Sequence, residues 1–237
     1  MMSKIEWTEQ TWNPVTGCTK VSPGYKHCYA ETLSHRLQAM GAPGYENGFN
    51  LSLLPERLSQ PLQRRKPTMY FVNSMSDLFQ DEIPYEFIDR VMDVISKTPR
   101  HTYQILTKRS QRMGEYFTDR AVPENTWLGV SVEDKRYGLP RIADLQKIKA
   151  KTRFLSAEPL LEDLGKLNLT GIHWVIVGGE SGIDARRMKE TWAINLMKQC
   201  HQREVNFFFK QWGLGDKTVS NDLRRPMDES CKEKLGI

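Results

Sequence analysis

Short, mostly apolar runs recur along the chain, each closed by polar residues: 68–72, 101–106, 126–130, 151–155, 173–177 and 205–209. Continuous apolar character, rather than alternation, marks strands that are covered on both faces. Between the runs the spacing changes to that of helices. Residues 83–98 place Phe87, Ile88, Val91, Met92 and Ile95 on one side, and residues 110–117, 137–148 and 191–202 are read the same way. A further strand is expected within residues 5–12 and a helix over residues 29–40. Strands alternating with helices imply βαβ units and a parallel sheet. Seven such units predict an α/β protein, a partial or complete parallel β/α (TIM-like) barrel. An open doubly wound sheet is the other arrangement of the same elements. One domain is expected over residues 1–212, with 41–66 as an insertion or lid and 213–237 as a polar C-terminal tail.

The stretch from Trp12 to Glu31 breaks this pattern. Gly17, Pro23 and Gly24 forbid a regular helix across it, and it holds two of the four cysteines, Cys18 and Cys28. Cys28 falls at the start of the helix expected from Tyr29. Backbone N–H groups and the helix dipole there favour a thiolate, the form that binds metal. Cys18 and Cys28 are therefore candidate metal ligands, and two unligated thiols in a turn-rich loop are the plain alternative. His27 is read as a solvated loop side chain, Cys200 as a thiol packed within a helix, and Cys231 lies in the tail.

Nearly every strand ends in polar or charged residues: Ser76 and Asp77, Thr107 and Lys108, Ser131 and Glu133, Ser156 and Glu158, Glu180 and Ser181, Lys210 and Gln211. In a β/α barrel these ends share one mouth, where active sites sit, and the cysteine loop opens onto it. Polar loops that simply meet solvent are the alternative. A common site is favoured because crowding such charges without a use is costly. Gly178 and Gly179 let a backbone approach a ligand closely, although the spacing of a nucleotide loop is missing. Trp127, Trp174 and residues 207–209 are read as core or barrel wall. Trp12, Tyr29 and Trp212 lie nearer the mouth.

Charge adds a partner class. The net charge of +5 is compatible with nucleic acid or a nucleotide without requiring one. The basic groups, among them Lys108-Arg109 and Arg186-Arg187, are each read as solvated surface. No apolar run approaches the ~20 residues of a membrane span, and the first residues form no apolar signal region. A cytoplasmic protein with reduced thiols is expected.

Several motifs together resemble a family. Trp12-Asn-Pro-Val-Thr-Gly-Cys18, Cys28-Tyr-Ala-Glu31, Phe-Val-Asn-Ser-Met-Ser-Asp77, Leu-Thr-Lys-Arg109, Gly-Val-Ser-Val-Glu133, Leu-Ser-Ala-Glu-Pro159, Val-Gly-Gly-Glu-Ser181 and Phe-Lys-Gln-Trp-Gly213 resemble, in order, a phage-associated family with a three-cysteine loop. That family in turn resembles radical S-adenosylmethionine enzymes of the spore-photoproduct-lyase type. The resemblance implies a partial barrel, a [4Fe-4S] cluster held by three loop cysteines, and S-adenosylmethionine on its open iron. It further implies a 5′-deoxyadenosyl radical that acts on an unidentified substrate, with nucleobases or nucleic acid as the class in view. By position, Ser76, Asp77, Gly178, Gly179 and Glu180 are the candidate cofactor-binding residues. Lys108, Glu133, Glu158 and Lys210 are the candidate catalytic ones. The family's middle cysteine is Tyr25 here, and a phenol is a poor substitute for a thiolate. Three outcomes are open: no cluster, a cluster completed by Tyr25, His27 or Cys231, or another ion such as zinc. A non-enzymatic barrel binding nucleic acid or a protein, and a metal-dependent hydrolase, are the rival functions.

Overall fold

Each apolar run forms a strand whose alternate residues enter two different cores. The computed structural model describes residues 7–181 and 184–213. In chain order the strands are Gln10–Trp12 (β1), Val15–Thr16 (β2), Ser52–Leu53 (β3), Met69–Val72 (β4), Thr102–Thr107 (β5), Thr126–Ser131 (β6), Thr152–Ala157 (β7), Trp174–Gly178 (β8) and Asn206–Gln211 (β9). The helices are Tyr29–Ala39 (α1), Gln60–Gln63 (α2), Tyr85–Lys97 (α3), Ser110–Tyr116 (α4), Lys135–Lys147 (α5) and Glu190–Gln202 (α6).

Seven strands form one sheet in the order β1-β4-β5-β6-β7-β8-β9, and every pairing is parallel. Each new strand joins the same growing edge. A doubly wound sheet would reverse that order once, so the open-sheet alternative is excluded. β1 and β9 stay at the two edges, and the sheet curls into a half-barrel.

The larger core lies between sheet and helices. It joins Val72, Ile105, Leu128, Val130, Leu155 and Val175 to Ile88, Val91 and Ile95 of α3, Met113 of α4, Leu145 of α5 and Leu196 of α6. Burying an apolar side chain of this size contributes about 1.5–3 kcal/mol, which is why α3 presents six buried apolar residues to the sheet. The opposite face of the sheet carries Phe71, Phe154, Trp174 and Ile176, packed with Trp7. Inward positions shrink toward the strand ends, from Trp127 through Gly129 to Ser131 on β6 and from Phe154 to Ser156 on β7. Gly129 has to be small, because a Cβ there would lie 2.4 Å from the Phe154 ring. The aromatic side chains fill the base of the half-barrel, and the serines leave space at its mouth.

The short β2–β3 pair ties residues 41–66 to the cysteine loop. Cys18 N–H donates to the Phe49 carbonyl at 3.1 Å, and Leu54 N–H to the Pro14 carbonyl at 2.8 Å. Trp12, read as lying near the mouth, is 1% exposed and donates its indole N–H to the Arg57 carbonyl within the core. Among the described residues, no helix is long and apolar enough to cross a membrane.

Candidate functional site

Four strand ends grip the cysteine loop. After β4, Ser76 bridges to Gly17, and its hydroxyl donates to the Val15 carbonyl at 2.9 Å. Beside it, the Asp77 carboxylate accepts from the backbone N–H of Phe79 (3.0 Å), the Thr107 hydroxyl (2.7 Å), the Lys108 N–H (3.0 Å) and Arg109 Nη1 (3.1 Å). Arg109 continues to the carbonyl and hydroxyl of Thr19, at 3.0 and 2.7 Å, and its Nη1 lies 3.8 Å from Cys18 Sγ. After β6, Glu133 accepts from the Ser22 hydroxyl and pairs with Lys108 Nζ (3.2 Å) and Arg141 Nη1 (2.6 Å). After β8, Glu180 is held by the backbone and guanidinium of Arg186, and that guanidinium also donates to the Pro23 carbonyl at 3.0 Å.

Buried carboxylates persist only when their lone pairs are filled, and these are. Burial alone would raise the Glu133 pKa, but Lys108, Arg141 and Ser22 outweigh it and hold the group at about 2. The same contest at Glu180 is won by Arg186, so its pKa is lowered.

Between loop and strand ends lies a cavity of about 500 Å³, within the range of small-molecule sites. Cys18, Tyr25, His27 and Cys28 line it from the loop. Ser76, Asp77, Lys108, Ser131, Ser156, Glu158, Gly179, Glu180, Ser181 and Lys210 line it from the strands, and Trp7, Phe71 and Leu106 contribute apolar surface. His27, read as a solvated side chain, is thus part of the wall.

Two of the sequence candidates stand elsewhere. Glu133 is fully buried behind the wall, holding Lys108, Arg141 and Ser22. Gly178 backs onto Glu158, where a Cβ would lie 2.8 Å from Oε1. The glycine pair serves chain packing, since a Cβ on Gly179 would fall 1.7 Å from the Trp212 carbonyl oxygen. Among the candidate acids, Glu158 keeps the most open position. It pairs with Lys210 at 2.9 Å, and both side chains retain some exposure at the cavity.

The basic groups read as surface divide. Arg109 is 7% exposed and acts as a strut from Asp77 to the loop. Arg186 does the same from Glu180. Arg141 was not visible as a partner in the sequence, although its place eight residues after Glu133 follows from helix α5 folding back over its own strand. Trp7 and Asn73 are among the further lining residues that carry no signal of a site in the sequence. Asn73 has a left-handed backbone, φ 57°, and asparagine is among the few side chains that tolerate it.

The loop bears directly on the implied cluster. Cys28 stands at the N-cap of α1, without a capping hydrogen bond from its side chain. Tyr25 is buried, its hydroxyl 3.5 Å from Cys18 Sγ and its ring under the Lys108 ammonium at 5.2 Å. Burial, followed by the charge of Asp77, raises the pKa of both the phenol and the Cys18 thiol. Among the described residues, no group of three His, Cys, Asp or Glu side chains would hold a metal ion. Two thiols and a neutral phenol do not fit a cluster that three thiolates hold. Cys231 lies outside the described residues. Cys200 is packed under α6, where burial pushes its thiol up to about 12.

The half-barrel is shared with solved structures. A spore photoproduct lyase variant with bound AdoMet and a dinucleoside spore photoproduct matches with a TM-score of 0.50 and 13% identity, over 100% of this chain and 74% of that one. Another variant gives 0.51 and 14%, over 100% and 73%. A third gives 0.54 and 12%, over 89% and 78%. At such identity the likeness is one of fold alone. No curated protein matches the chain in sequence. The profile of one family spans residues 2–234, and the chain belongs to that family, described as "Protein of unknown function (DUF5131)".

Proposed function

We propose that this protein is a radical-SAM-like barrel that binds S-adenosylmethionine, or a close adenosyl relative, in its mouth and does so without a three-thiolate [4Fe-4S] cluster. The observation that carries the reading is Tyr25, whose phenol stands against Cys18 in the cavity wall where the resemblance places a third thiolate. The cavity suits the nucleoside. Trp7, Phe71 and Leu106 offer apolar surface for a flat base. Lys210 and Glu158 present one cation and one anion, which match the carboxylate and ammonium of the amino-acid end. When bound, S-adenosylmethionine supplies an electrophilic sulfonium centre. Asp77, Glu133 and Glu180 hold the loop and take no proton in this reading, and no radical step is assigned to this chain. A nucleobase or nucleic-acid substrate, in a phage setting, completes the proposal. The net charge of +5 and the motif resemblance support it. Nothing favours the hydrolase alternative, since Asp77, Glu133 and Glu180 are each already bound to arginine.

Anaerobic reconstitution with iron and sulfide, beside calorimetric titration with S-adenosylmethionine, tests both parts. The wild-type chain is expected to bind S-adenosylmethionine yet stay colourless, whereas Tyr25→Cys gains iron and absorbance near ~400 nm. A brown wild-type protein that cleaves S-adenosylmethionine overturns the cluster-free part. Absence of binding in the titration overturns the adenosyl part.

A further inference from the structure

Asn73 closes β4 in a conformation that fixes its side chain. Its N–H donates to the Trp12 carbonyl at 2.8 Å, and its own carbonyl accepts from Ser76 N–H at 3.2 Å. Its Oδ1 accepts from Val15 N–H at 3.3 Å. Turning the amide over would set two N–H donors against each other, so the orientation follows from the hydrogen bonding itself. The side-chain Nδ2 is left without a partner although the residue is 3% exposed and lines the cavity.

Trp7 repeats the situation. Its ring stands edge-on to Phe71, centroids 4.8 Å apart, and its carbonyl accepts from Gln104 Nε2 at 3.1 Å. Its indole Nε1 is buried without a partner, and Trp7 also lines the cavity. Asn73 follows directly after β4, and Phe71 of that strand lines the same cavity. Eight buried side-chain atoms lack partners among the described residues, and only these two belong to residues that line the cavity. Both are N–H donors. Native structures rarely leave such groups orphaned without a reason.

We infer that Asn73 and Trp7 are a donor pair that reads acceptor atoms, ring nitrogen or carbonyl oxygen, on the nucleobase of a ligand seated in this cavity. The assignment rests on the reading of the cavity as a nucleoside site and names the part of the ligand that is recognised there. Two donors without a facing acceptor select against a saturated or purely apolar group, because only an acceptor restores the bonds lost with water.

Titration calorimetry and thermal melts on two variants test this. Trp7→Phe keeps a ring and removes the N–H. Asn73→Asp keeps the acceptor toward Val15 and replaces the donor with oxygen, so the turn survives. The probes are S-adenosylmethionine, its 1-, 3- and 7-deaza analogues, and uridine, thymidine, cytidine and guanosine. Each variant is expected to bind about tenfold more weakly, the loss of one hydrogen bond, while apo Trp7→Phe melts no lower than the wild type. One deaza analogue is expected to be discriminated by the wild type and not by a variant. Variants that bind every probe as the wild type does, or lose stability without losing selectivity, overturn the donor pair even where S-adenosylmethionine binds. If S-adenosylmethionine fails but another nucleoside binds through these two residues, the donor pair stands and the adenosyl reading falls. A wild-type chain that binds none of the probes overturns both.

Discussion

Glu133 is prominent in the sequence as a strand-end carboxylate, and the fold sets it behind the cavity wall. It is fully buried between Lys108, Arg141 and Ser22. Its carboxyl titrates at about 2, below the ordinary 4.5. The folded pKa is depressed, so the stabilisation is complete above about pH 4.5 and is lost as the pH falls toward 2. That shift corresponds to about 3 kcal/mol at neutral pH. Urea melts of Glu133→Gln at pH 7 are expected to show a loss of about 3 kcal/mol, since two buried cations lose their counter-charge. The same variant is expected to flatten the acid limb of the stability profile between pH 4.5 and 2. Sequence position marked Asp77, Glu133 and Glu180 correctly as strand-end residues. Their partners Arg109 and Arg186 stayed hidden because a guanidinium in a basic run looks the same whether it is solvated or serves as a strut, and Arg141 is an isolated arginine within the α5 pattern.

At the scale of elements, the six apolar runs and the helices between them lie within two residues of where the periodicity puts them. β2, β3 and α2 have no sequence signal, because pieces of two to four residues carry no period to read. The cysteine loop was recognised as non-helical from its glycines and proline, but its anchoring was not legible. Gly17 sits at φ +79°, and a Cβ there would lie 2.1 Å from the Asn50 carbonyl oxygen, against backbone that cannot move aside. Gly17→Ala is expected to cost about 2 kcal/mol from strain and clash. It would also loosen the loop, so that Cys18, now 9% exposed, reacts faster with a thiol reagent relative to Cys200 at 1%. Unchanged labelling rates would show that the loop is held without this close approach.

For the whole molecule, the strand order turns local elements into a site. Because every pairing is parallel and the sheet curls, all the C-terminal ends meet at one mouth. A ligand bound there touches several βα units at once, so it stabilises the whole barrel rather than one loop. Saturation at a hundredfold excess over Kd contributes about 2.7 kcal/mol. For a chain of 237 residues this amounts to a rise of about 5–10 °C in Tm. Melts with S-adenosylmethionine are expected to show that rise and to shift as one transition. A transition that splits, with only part of the chain stabilised, would mean that the mouth does not couple the barrel together.

The sequence by itself determined the elements, the parallel barrel class and the convergence of polar strand ends, because periodicity and strand-to-helix alternation are local properties that carry over into the fold. It also located the loop and exposed the phenol at position 25. Only the tertiary structure decided which charges are available. The acids at the strand ends are bound by arginines and a lysine six or more residues away along the chain, and burial compels that pairing, since an unpaired carboxylate could not remain charged there. The two unpartnered donors, Asn73 and Trp7, were decided at the same level, because whether a buried N–H has a partner depends on every element packed around it.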